Sequence, residues 1–135
     1  MGTELGYGYG RTLPGVSYED AVARVTEALK KEGFGILTSI DVKETLKQKL
    51  GVDFRRYVIL GACNPQLAHR ALTVEPGVGL LLPCNVVVSE SPGGALVQVV
   101  KPAAMLGVIQ REEIRPIADE ADVRLRRALD QLGGG

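Results

Sequence analysis

Apolar positions change period several times along this chain, and each period names an element. Residues 5 to 13 alternate Leu5, Tyr7, Tyr9, Arg11 and Leu13 with Gly6, Gly8, Gly10 and Thr12, the spacing of a strand. One of its faces is nearly bare, so another backbone can come close. Ser17 then predicts a helix N-cap, followed by a stripe of Tyr18, Ala21, Val22, Val25, Ala28 and Leu29 that Gly33 ends. Residues 34 to 40, FGILTSI, form an apolar strand. Asp41 caps a short helix with Glu44 three residues on, a capping-box arrangement, and Gly51 closes it.

The second half repeats the theme. FRRYVILGA, residues 54 to 62, predicts a strand that delivers the chain to Cys63. Asn64 takes the next N-cap and Pro65 the first helical position, where its missing N–H costs nothing. The buried stripe is Leu67, Ala68, Ala71 and Leu72, up to the break at Glu75-Pro76-Gly77. GLLLPCNVVV, residues 79 to 88, is apolar enough for a strand covered at least in part on both faces, and Pro83 places it at an edge or a bulge. Ser91-Pro92-Gly93-Gly94 predicts a tight turn into ALVQVV, which sets Val88 opposite Val97, Val86 opposite Val99, and Cys84 near Lys101. A last helix spans about 116 to 132. Ile117, Ala118, Ala121, Leu125, Ala128, Leu129 and Leu132 line its stripe, Glu120–Arg124 and Asp122–Arg126 are charge pairs, and Val123 points elsewhere. About five strands and two longer helices in a hairpin-like order predict an α+β fold rather than a doubly wound sheet.

Composition narrows the function classes. The 135 residues fit one domain, 1–135, with the terminal GGG at 133–135 frayed. Sixteen basic side chains balance sixteen acidic ones, so no net field draws a nucleic acid. No secretory start and no run of eighteen apolar residues is present, which predicts a soluble, cytoplasmic protein with no membrane partner. Two cysteines twenty residues apart match no zinc or CxxC spacing, so they are expected to be thiols, and no metal site or cofactor is named by the sequence. GYGYGR lacks the strand-then-helix setting of a phosphate loop.

The candidate chemistry lies in GACNPQLAHRAL, residues 61 to 72. Cys63 stands at a helix N-terminus, where amides and the helix dipole favour a thiolate, a nucleophile and soft ligand. His69 is the one histidine, but helical spacing turns it about 130° away from the Leu67/Ala68/Ala71/Leu72 stripe. The Cys-Asn pair recurs as Cys84-Asn85, again near the end of an apolar run. The structural alternative is that Cys63 is a small buried residue, Asn64 a cap and His69 an exposed side chain.

GFGILT, the IDVK start, LGACNP with Ala68-His69, and LLPCNVVV together resemble the bacterial and archaeal domain of unknown function 302, from about Gly33 to Pro102. The resemblance implies a TATA-binding-protein-like α+β domain: a curved antiparallel sheet with helices on one face, in the order β-α-β4-α with extra short helices. It implies no activity. Cys63, Asn64, Pro65, His69, Cys84 and Asn85 fall on its recurrent motif positions. Two functional expectations follow. In the first, a small anionic or sulfur-containing molecule binds near the two Cys-Asn strand ends, with Cys63, Asn64, His69, Cys84 and Asn85 as ligand-binding residues and either cysteine as the candidate thiol. In the second, the chain is a non-catalytic homodimer or interaction unit, supported by its apolar strand and by Val123, and the motifs serve the fold.

Overall fold

The computed structural model describes residues 2–132, so the expectation for residues 133–135 lies outside the described residues. Six antiparallel strands form one open sheet in the order β1-β2-β6-β5-β4-β3. They are β1 Gly2–Leu5, β2 Gly8–Pro14, β3 Gly35–Asp41, β4 Tyr57–Cys63, β5 Cys84–Ser91 and β6 Gly94–Val100. The helices α1 Tyr18–Lys31, α2 Val42–Leu50, α3 Pro65–Val74, α4 Pro102–Leu106 and α5 Ile114–Gln131 complete an α+β domain with its helices on one side of the sheet. The four-residue β1 is an addition at one edge to the five strands expected.

The stretch read as one strand over residues 5 to 13 holds the last residue of that extra strand, a turn, and β2 from Gly8 on. The chain turns at Gly6-Tyr7 and doubles back, pairing Leu5 with Gly8. Leu5 therefore shares a face with Gly8 and not with Tyr9. A two-residue hairpin preserves alternation on both arms, which is why the pattern alone hides the turn.

The helix caps form as the sequence dictates. Ser17 accepts the Asp20 N–H, Asp41 the Glu44 N–H and Asn64 the Leu67 N–H, while Gly33 and Gly51 take positive φ past the ends of α1 and α2. The β5–β6 hairpin has the expected register, Val86 opposite Val99 and Val88 opposite Val97.

Two expectations about 79–88 are overturned. Pro76–Leu81 winds into a 3-10 helix, with the Glu75 carboxylate accepting the Gly77 N–H, and β5 begins only at Cys84. A short apolar run does not distinguish a strand from a helical turn. Nor does Pro83 mark an edge, since β5 lies between β4 and β6. The proline sits just before the strand, where no ladder donor is needed.

Ala21, Val25, Ala28 and Leu29 of α1 and Ile117, Ala121, Leu125 and Ala128 of α5 close over Leu13, Val86, Val88, Val97 and Val99, and all of these are buried. Burying a side chain such as Leu125 contributes roughly 1.5–3 kcal/mol. Polar ties fix α5 in place. Arg127 donates to Glu32 at the end of α1 (2.9 Å), and Arg70 and Arg124 both reach Glu120 (3.2 and 3.0 Å), joining α3 to α5. The expected Asp122–Arg126 pair is replaced. Asp122 accepts the Tyr9 hydroxyl at 2.9 Å, and Arg126 lies over the Tyr9 ring, 4.8 Å from its centroid. Among the described residues no helix is long and apolar enough to cross a membrane.

The helical layer leaves one margin of the sheet open. Edge strand β3 is exposed along nearly its whole length. Its register with β4 shifts between Ile36 and Thr38, so a bulge lifts Leu37 out of the regular ladder.

Leu125→Ala is expected to lower the unfolding free energy by about 2–5 kcal/mol. Leu80→Ala, at a side chain 92% exposed on the 3-10 helix, is expected to stay within about 0.5 kcal/mol. Urea denaturation of both variants checks the two values together.

Candidate functional site

Antiparallel pairing brings the end of β4 beside the start of β5. Ala62 is the Cα partner of Cys84, so the two Cys-Asn pairs stand at the same end of the sheet. From Cys63 the chain passes through Asn64 into α3, which folds back towards α5. Between the sheet end, α3, α5 and the segment 79–83 lies a pocket of about 320 Å³.

Both cysteines line it. Phe34, Leu37, Leu67, Ala68, Ala71, Leu72, Leu82, Pro83, Leu106, Ile117 and Ala121 supply most of the rest, and Asn64 is the one amide side chain in the lining. The stripe expected on α3 thus divides. Leu67 and Ala71 are buried, while Ala68 is half-buried and Leu72 is 41% exposed at the pocket's rim with Leu37, 68% exposed. Small residues on α3 and α5 keep those helices from filling the gap. These lining residues were missed by inspection of polar motifs, although an alanine-rich stripe on a helix with few sheet neighbours is a readable sign of incomplete filling.

The two thiols differ. Cys84 is 7% exposed, and burial, then the nearby charge of Cys63, pushes its pKa up to about 11. It is a neutral thiol at pH 7. Cys63 is part-exposed and ends β4 opposite Gly35. Neither is in a disulfide.

Asn64 is buried, and its Oδ1 accepts the Leu67 N–H at 3.1 Å. Its Nδ2 lies 2.8 Å from where a Cβ on Gly33 would stand, so glycine there lets the end of α1 pack against the cap. The start of α3 has few donors left. Pro65 has no N–H, Leu67 is capped by Asn64, and Ala68 donates to the Asn64 carbonyl at 2.9 Å, which leaves Gln66. Two candidate residues lie outside the pocket. His69 is exposed on α3, and Asn85 is exposed on β5 opposite Gly61. No group of three or more His, Cys, Asp or Glu able to hold a metal occurs among the described residues.

The family model for the domain of unknown function DUF302 matches residues 9–132. The chain belongs to the DUF302 family. A crystal structure of an uncharacterized conserved DUF302 protein from Bacillus stearothermophilus superposes with a TM-score of 0.84 at 35% identity, covering 93% of this chain and 97% of that one. No curated protein matches the chain. The family span extends beyond the 33–102 region that carries the motifs, and takes in β2, α1 and α5, which close the core around this DUF302 pocket.

The Cys84 thiol carries a pH signature. Its folded-state pKa is raised, so above pH 9 the unfolded chain ionises this sulfur while the folded chain keeps it protonated until about pH 11. The wild type is expected to lose on the order of 2–3 kcal/mol of stability across that window relative to Cys84→Ala. Urea titrations of both proteins at pH 8 and pH 11 give the comparison; parallel losses would contradict the burial of the thiol.

Proposed function

We propose that this DUF302 protein binds a small, largely apolar molecule, soft or sulfur-containing, in the pocket between α3, α5 and the ends of β4 and β5. The observation that carries this reading is the lining: a cavity of about 320 Å³, within the range of ligand sites, walled by aliphatic side chains and two thiols. The anionic half of the expectation finds less support. No charged side chain lines the pocket, the Asn64 oxygen is used by the cap, and an unpaired anion placed there would be costly to desolvate. Free thiols suit a reducing, cytoplasmic setting. The strand, helix, four strands, helix order that remains once β1 and the short helices are set aside supports a TATA-binding-protein-like fold. The likeness in fold carries no nucleic-acid role with it, and equal numbers of acidic and basic side chains give such a role no support.

Phenylnaphthylamine, an uncharged dye that fluoresces in apolar surroundings, tests the pocket. It is expected to bind the wild type, and Ala68→Phe, which places a ring in the cavity, is expected to weaken binding at least tenfold while the protein stays folded by circular dichroism. A wild type that leaves the dye dark, or binding unaltered by Ala68→Phe, would sink the reading.

A second reading is favoured by β3. This edge strand has a free backbone side and carries Leu37 and Ile40, 68% and 48% exposed, so a second copy could add its own β3 there as a homodimer. Sedimentation over a hundredfold concentration range is expected to show a dimer that Ile40→Lys shifts to monomer. A monomer throughout, or a dimer indifferent to Ile40→Lys, removes this interface.

A further inference from the structure

Resting on the reading of the pocket as a binding site, we propose that Cys63 takes up the thio group of a small apolar disulfide as a mixed disulfide, and that Cys84 remains a thiol and does not release it. Cys63 is the part-exposed sulfur, at the end of β4 where the lining meets solvent. Cys84 lines the same cavity, is more than nine-tenths buried, and its sulfur has no hydrogen-bond partner among the described residues. Two sulfurs of unlike access in one apolar chamber divide the labour of exchange: one can meet a disulfide arriving from solution, and the other is withheld.

The chemistry fits what the chamber lacks. His69 is exposed outside the pocket, and the lining contains no carboxylate, lysine or arginine, so no general acid or base is at hand. Acyl transfer would need both such a group and an oxyanion site. Thiol–disulfide exchange needs neither. The Cys63 thiol loses its proton to water, and the thiolate attacks one sulfur of an apolar disulfide R–S–S–R. A Cys63–S–S–R bond forms as the original S–S bond breaks, and the departing R–S⁻ takes a proton from water. The balance is one protein thiol and one disulfide giving one mixed disulfide and one free thiol, with no other oxidant.

Retention follows from the second sulfur. Resolution within the protein would require a Cys84 thiolate, and burial holds that group as a thiol with its pKa near 11. Selectivity follows from the walls. An alkyl group gains by leaving water for a surface of leucines, alanines and a phenylalanine, whereas a hydroxylated or charged group would lose its hydration there without replacement.

Dibutyl disulfide and the more polar bis(hydroxyethyl) disulfide are the probes, followed by intact mass and peptide mapping. One butylthio group is expected on Cys63, formed at least tenfold faster than the hydroxyethylthio adduct. The adduct should be lost in Cys63→Ser, unchanged in Cys84→Ser, and stable after excess disulfide is removed. Labelling at Cys84, equal rates for the two probes, or appearance of a Cys63–Cys84 disulfide would overturn the proposal. Phenylnaphthylamine binding to Cys63→Ser keeps the two failures apart. A dye that still binds while dibutyl disulfide fails to label the wild type overturns the exchange alone. A dye that binds neither protein overturns the pocket beneath it.

Discussion

The pairing of β4 with β5 is the constraint on which the rest of this molecule depends. The strands are antiparallel neighbours in the middle of the sheet, so the residue that leaves one lies beside the residue that enters the next. That register sets Ala62 against Cys84 and gathers Cys63, Asn64, Pro83 and Cys84 at one end of the domain. A slip of one residue would move every side chain of β5 to the other face and take Val86 and Val88, both buried, out of the core. The core and the pocket are therefore specified by the same pairing.

Packing explains why a cavity persists beside such a tight core. Over β2, β5 and β6 the valines of the sheet meet the stripes of α1 and α5, and the interior closes. At the end of β4 the neighbouring helix is α3, which is short, packs on α5 and the 3-10 helix rather than on the sheet, and faces the pocket with Ala68 and Ala71 where α5 supplies Ala121. Its position is set by the Asn64 cap at the pocket wall and, from outside the pocket, by Arg70 reaching Glu120 on α5. Glu120 in turn holds Arg124, which also donates to the Glu32 carbonyl at the end of α1. These polar ties hold α3 at a distance that its own side chains are too small to fill. A well-packed interior leaves few voids larger than a water molecule, so an apolar chamber kept open by such ties is the feature of this fold best suited to a ligand.

The chemistry available there is narrow, and the narrowness is informative. With no charged side chain and Asn64 as its one amide side chain, the pocket lining offers little to hold a phosphate or carboxylate and much apolar surface. The two sulfurs differ in burial and not in partners, so solvent access alone separates a thiol that can react from one that is held back. Family membership is compatible with this reading and adds no activity to it.

Local signals in the sequence determined the helix caps at Ser17, Asp41 and Asn64, the β5–β6 hairpin register and the α+β class, because each depends on residues close together in the chain. Such signals could not separate the two Cys-Asn pairs, which look alike as dipeptides. Tertiary structure gave them different fates. Asn64 falls past the end of a strand, where its oxygen caps α3, while Asn85 falls inside β5, on the opposite side of the pleat from the buried Cys84, and meets solvent. The hairpin at Gly6-Tyr7, the central place of the strand that follows Pro83 and the coils of the 3-10 helix were hidden for a related reason: a period of two or a run of leucines is shared by more than one backbone path. Whether two cysteines twenty residues apart share a pocket is a matter of strand register, and register is settled only when the whole sheet has assembled.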